Sequence, residues 1–215
     1  MKKKLLCALL AMAFVLSVIV FMPSKSEVEA ATTTISFDAI DVNDCLYAGP
    51  LNQSTSKRIK CQGYWVKQNG NWKLYCTKTS KKIGTRLAYK QYVKDMYIYT
   101  GGNWYYIKDD GYMYTCGPHT RSLNNKTYGL FFNTNGKLAI NAWGSIHSLK
   151  NGKSTLVWYR TNNKGELITG WKQISGKWYY FNTSFDSYGQ MLYSTSLLYK
   201  GKRYYFNKDG ACTNP

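Results

Sequence analysis

The stretch Gly170-Trp171-Lys172-Gln173-Ile174-Ser175-Gly176-Lys177-Trp178-Tyr179-Tyr180-Phe181-Asn182, followed by Gly189-Gln190-Met191, decides the fold. Two short runs of β-forming residues flank Ser175-Gly176, a dipeptide suited to the positive φ angles of a type I′ hairpin turn. The same arrangement recurs around Asn69-Gly70, Gly101-Gly102, Asn151-Gly152 and Lys200-Gly201, while a third unit is expected to use a longer turn at Asn124-Asn125-Lys126. Each unit is closed by a second glycine: Gly84, Gly111, Gly136, Gly165, Gly189 and Gly210, at steps of 27, 25, 29, 24 and 21 residues. Such a period marks a stacked array, because one unit is too small to bury its own apolar face. Two residues past the closing glycine stand Met113, Leu138, Leu167 and Met191, placed to pack between neighbouring hairpins. Cys212 holds that place in the last unit and reads as a small buried apolar residue. No segment after residue 31 keeps a helical period, so the expected fold is all-β, a solenoid of stacked β-hairpins with an N-terminal strand/loop cap.

The ends of the chain set its compartment. Met1-Lys2-Lys3-Lys4, an uninterrupted run from Leu5 to Met22, and Val28-Glu29-Ala30-Ala31 have the layout of a secretory signal peptide over residues 1–30. An uncleaved anchor is the alternative, and it would be the one membrane contact. Residues 31–62, Thr-rich with an alternating Ile35-Ser36-Phe37-Asp38-Ala39-Ile40 segment, are assigned to the cap, and 63–215 to the repeats. Residues 31–215 carry a net charge of about +16. For an exported protein this points to anionic wall polymers rather than nucleic acid, since the lysines are scattered and form no stripe. The five cysteines beyond the signal, Cys45, Cys61, Cys76, Cys116 and Cys212, lack zinc-site spacing. Their odd number permits an intermolecular disulfide, and so leaves the oligomeric state open. Connectivity is open too, with Cys45–Cys61 preferred because both precede the array.

The aromatic side chains carry the functional reading. Trp65 and Trp72, Tyr97 and Trp104, and Trp171 and Trp178 are each seven positions apart across a turn, which sets the two rings on paired strands facing one pocket. Twenty tyrosines and seven tryptophans exceed what thin layers need as core. Exposed rings are platforms for sugar faces or quaternary ammonium groups.

The pattern Gly-Trp…Trp-Tyr-Tyr-Phe-Asn…Gly-x-Met of residues 170–191 resembles the cell-wall-binding repeats of Gram-positive bacteria: choline-binding modules, glucan-binding relatives and clostridial toxin tails. Gly201 to Gly210 is similar to the toxin-tail and glucan-binding style. The resemblance spans about residues 63–212, most strongly in the second and fifth units. It implies ligand sites between consecutive hairpins, two walls from one repeat and a third aromatic from the next. The best-matched walls are Trp171, Trp178 and Tyr179, with Tyr204 or Tyr205 from the following hairpin. A second set is Trp65 and Trp72 with Trp104, next to Tyr97, and a looser third is Trp143 with Trp158. Arg203 stands where the last unit should carry the counterpart of Trp178, and Gly129 holds that place in the third unit. A cation at Arg203 would repel choline and suit phosphate, so the partner stays open between choline- or phosphate-bearing teichoic acid and polysaccharide.

No catalytic signature appears. His119 and His147 are the two histidines, and no paired carboxylates, G-x-S-x-G or H-E-x-x-H occurs. A Cys116/His147 thiol dyad is the remaining enzymatic alternative, disfavoured because Cys116 lies at a repeat junction. The expectation is a secreted, cell-wall-associated module with no catalytic residues, no metal and no cofactor. Its rival is a structural or protein-interaction solenoid whose ligand sites have degenerated.

Overall fold

The computed structural model describes residues 28–30, 33–45, 50, 55–123, 126–150 and 152–215. The signal-peptide reading for residues 1–27 and the longer-turn residues 124 and 125 lie outside them. Fifteen strands form, and no α-helix occurs among the described residues. None of the described helical turns is long and apolar enough to cross a membrane.

The N-terminal half builds one sheet. It contains β1 (Val28–Ala30), β2 (Ile35–Asp41), β3 (Ile59–Gln68), β4 (Asn71–Thr79), β5 (Gln91–Tyr92), β6 (Met96–Thr100) and β7 (Asn103–Ile107). Its order is β5-β4-β3-β2-β6-β7, with β1 also paired to β3. The segment expected to cap the array is thus more than a cover. β2 pairs with β3 on one side and β6 on the other, joining the first two hairpins edge to edge. Its alternation explains why: Phe37 and Ala39 turn into one apolar cluster and Ile40 into another. The first repeat strand also begins at Ile59, ahead of Gly63.

Four separate two-stranded sheets follow: β8 (Gly117–Leu123) with β9 (Lys126–Phe132), β10 (Trp143–Lys150) with β11 (Lys153–Arg160), β12 (Gly170–Ile174) with β13 (Lys177–Phe181), and β14 (Thr195–Tyr199) with β15 (Lys202–Phe206). In the third hairpin Leu123 pairs with Lys126, so its strands run closer together in sequence than the expected longer turn would place them. The turn at Ser175-Gly176 has φ of 49° and 77°, and Asn69-Gly70 has 51° and 75°. Both residues are in the left-handed region, as a type I′ turn requires.

All six hairpins keep one register. Trp65 opposes Leu74, Tyr97 opposes Tyr106, Pro118 opposes Phe131, Trp143 opposes Arg160, Trp171 opposes Tyr180 and Ser196 opposes Tyr205. Because side chains alternate along a strand, each hairpin has a first face carrying the ring pair and a second face turned the other way. Stacking sets the first face of one hairpin against the second face of the next. A single backbone hydrogen bond repeats at every junction and fixes this offset. The N–H of Met113 donates to the carbonyl of Trp72 at 2.7 Å, Leu138 to Trp104 at 2.8 Å, Leu167 to Gly129 at 2.8 Å, Met191 to Trp158 at 2.8 Å and Cys212 to Trp178 at 2.7 Å.

Candidate ligand site between hairpins

The offset creates a repeated slot. Its walls are two diagonal residues of one hairpin. Its third side is the residue after the second wall in the next hairpin, and its floor is the apolar residue that makes the junction hydrogen bond. The slots share this frame and differ in their side chains.

The first slot comprises Trp65, Trp72, Tyr105 and Met113, with Asn135 at its edge, around an open cavity of about 240 Å³. Trp65 and Tyr105 meet edge-on with ring centres 5.6 Å apart, and Trp72 is 37% exposed. The Lys67 ammonium stands 6.0 Å from the Trp72 ring centre. Burial pushes the Tyr105 hydroxyl pKa up, so this ring is neutral at physiological pH.

The expected third wall, Trp104, is not there. It lies on the first face of the second hairpin, 3% exposed, where it packs at a tilt against Tyr99 and under the Arg58 guanidinium. Tyr97 is equally buried, and Leu130 and Leu138 complete this second slot from the third hairpin. Both rings are core, and the second slot is closed. The third slot has Pro118 and Gly129 where rings would stand, against buried Tyr159 and Leu167. A Cβ on Gly129 would sit 2.6 Å from Leu167 Cδ1, so this junction is packed shut.

The fourth slot is open at Trp143, 39% exposed, with Trp158 on the same face and Met191 as floor. Its third ring is Tyr179, 5.7 Å from Trp143. The Arg160 guanidinium lies 5.8 Å from the Trp143 ring centre and donates to Asn141 Oδ1 at 2.7 Å. Tyr179 therefore belongs to the junction before the one expected, because it lies on the opposite face of its strand from Trp178.

In the fifth slot the structure brings together Trp171, Trp178 and Tyr204, without the expected Tyr179. Trp171 and Trp178 are 6.4 Å apart and edge-on, and Tyr204 meets Trp171 at 4.7 Å. Trp178 is 38% exposed, Trp171 is half-buried and Cys212 forms the floor. Tyr205 is excluded: it is 52% exposed on the outward face of the last hairpin. Arg203 shares that face and donates to Ser196 Oγ at 3.1 Å. It thus faces away from the Trp171 slot, and the objection to a cationic ligand there falls. Tyr105 and Arg160 went unread in the sequence as site residues. The signal for Tyr105 was present, since it follows Trp104 as Tyr179 follows Trp178.

The cell wall binding repeat of the choline-binding type matches residues 97–113, 169–184 and 198–212, which are the second, fifth and sixth hairpins. The sixth, in which Arg203 stands in place of the Trp178 counterpart, matches the repeat as well. No curated protein matches the chain. Among solved structures, the choline binding domain of Spr1274 from Streptococcus pneumoniae is 31% identical over 36% of this chain and 98% of its own, with a TM-score of 0.26. Choline binding protein F of the same organism, solved with a peptidoglycan analogue, is 24% identical over 72% of this chain and 56% of its own, with a TM-score of 0.38. The Cpl-1 endolysin from phage Cp-1 is 22% identical over 71% of this chain and 37% of its own, with a TM-score of 0.40. The chain thus spans about half of choline binding protein F and about a third of the endolysin. Three of the six hairpins, the second, fifth and sixth, fit the repeat model, so this chain carries cell wall binding repeats of the choline-binding type.

Proposed function

We propose that this chain is a non-catalytic module that holds a choline-bearing cell-wall polymer, taking the trimethylammonium groups into the first and fifth slots, the fourth already having the Arg160 guanidinium at its Trp143 ring. The observation that carries this reading is the first slot: three rings and a thioether around an open cavity, with no acidic residue in its lining and Asn135 at its edge. A quaternary ammonium has no N–H to donate. It is stabilised by ring faces within about 6 Å, at roughly 0.5–2 kcal/mol per ring. Three such contacts place a single slot near the millimolar range, roughly −4 kcal/mol. Repeats along a polymer then raise the overall affinity through effective concentration. Lys67 beside Trp72 suits the phosphate that neighbours choline in such polymers. The endolysin relative belongs to a modular protein, and this chain is read as a counterpart of the binding portion alone.

Titration of tryptophan fluorescence with choline chloride, choline-bearing teichoic acid and soluble glucan tests the proposal. Saturable quenching by choline is expected, weakened about 2- to 30-fold by Trp72→Ala, the range of one cation–π contact. Tyr205→Ala, on the outward face, should leave it unchanged. Absence of a choline or teichoic acid response in the folded protein, with binding of glucan or of another protein instead, would overturn it.

A further inference from the structure

Cys61 and Cys76 are both buried in the cluster that supports the first hairpin, and both carry free thiols in this structure. The ladder explains how they come together. Cys76 opposes Gly63, and Cys61 lies two residues before Gly63 on the same face of β3. In a regular ladder such diagonal neighbours are about 7–8 Å apart, beyond easy bridging. Here the register shifts between Gln62 and Gly63, and such a bulge bends and twists the strand. Gly63 places no side chain between the sulfurs, and it must be glycine, because a Cβ there would lie 2.0 Å from the Tyr75 carbonyl oxygen. Cys61 Sγ donates to the Ile59 carbonyl and to Thr79 Oγ1, both at 3.5 Å, and Cys76 Sγ to the Lys78 carbonyl at 3.3 Å, so both sulfurs lie at the bulge. Their mutual proximity raises the pKa of Cys61 and lowers that of Cys76.

We propose that Cys61 and Cys76 are joined by a disulfide in the protein at the cell surface, stapling β3 to β4 beside the bulge. The oxidant is a low-molecular-weight disulfide. The thiolate of one cysteine attacks it, forming a mixed disulfide and releasing one small thiol. The second cysteine then displaces the other. Two S–H bonds and the oxidant's S–S bond are consumed, and one protein S–S bond and two small thiols result. Both sulfurs are covered in the folded chain, so the exchange belongs to folding, before the strands close. The pairing differs from Cys45–Cys61, which would leave Cys76 as a buried unpaired thiol beside the bond.

The full chain, refolded in a glutathione redox buffer, is alkylated under denaturing conditions and digested without reductant. The expected result is a linked pair of peptides carrying Cys61 and Cys76, separated by dithiothreitol. Closure of a loop of about 15 residues should also make the melting temperature fall by roughly 6–12 °C on reduction. That fall should vanish in Cys76→Ser and persist in Cys45→Ser. Should Cys76→Ser not fold, the peptide map of the unaltered chain decides alone. Alkylation of both cysteines without reductant, or a link from either to Cys45 or to a second chain, overturns the proposal.

Discussion

His119 shows how much one side chain's surroundings can set. It stands on β8 with ring centres of Tyr106, Tyr114, Tyr97 and Phe132 at 4.3, 5.5, 6.5 and 6.5 Å, and its Nε2 is buried without a hydrogen-bond partner. Burial first, and the nearby Arg121 charge second, push its pKa down to about 4. The unfolded chain, with an ordinary histidine, binds the proton near pH 6.5 and the folded chain does not. Stability from this residue is therefore complete above about pH 6.5 and is lost as the pH falls through about 4, by an amount on the order of 3 kcal/mol. Thermal unfolding between pH 7 and 4 should show a falling melting temperature, and His119→Phe should flatten that slope. Asp95, which accepts from the Tyr106 hydroxyl at 3.0 Å, is the nearby acidic group that such a measurement must also consider.

At the scale of the hairpin, the junctions are closer than the slots suggest. Gly144 on β10 faces Phe131 of the preceding hairpin, and a Cβ there would fall 2.4 Å from the ring. Gly144→Ala should thus cost about 1–3 kcal/mol in thermal denaturation by wedging the third and fourth hairpins apart. The fluorescence response of the first slot should remain. The hairpins themselves were legible in the sequence because turn dipeptides and strand alternation are local signals. The slots were legible only in part. Spacing put Trp171 with Trp178 and Trp65 with Trp72, which share one hairpin. The third ring comes from the next hairpin, and its face depends on the stacking offset, which no single unit encodes. Hence Trp104 was read as a wall when Tyr105, one residue later, is the ring that faces the slot. The role of β2 was hidden for the same reason: its partners lie on two different hairpins, and alternation alone does not name them.

Across the whole molecule, charge and rings act at different ranges. The chain carries 29 Lys and Arg against 11 Asp and Glu, a surplus that, on the proposed function, would draw in a polyanion before any ring is engaged. Screening shortens this reach from about 10 Å at 0.1 M salt to about 3 Å at 1 M. Teichoic acid binding should therefore weaken several-fold over that range, while the fluorescence midpoint for free choline stays nearly constant. The two ends of the array also differ in construction. Through β2 the first two hairpins share continuous strand pairing, whereas the later hairpins are separate two-stranded sheets joined by the repeated N–H to carbonyl link and by side-chain contacts such as Tyr193 Oη to the Leu156 carbonyl. Under tension from a tethered wall, such a chain yields from its far end, hairpin after hairpin, and the strand-braced portion is the last to let go.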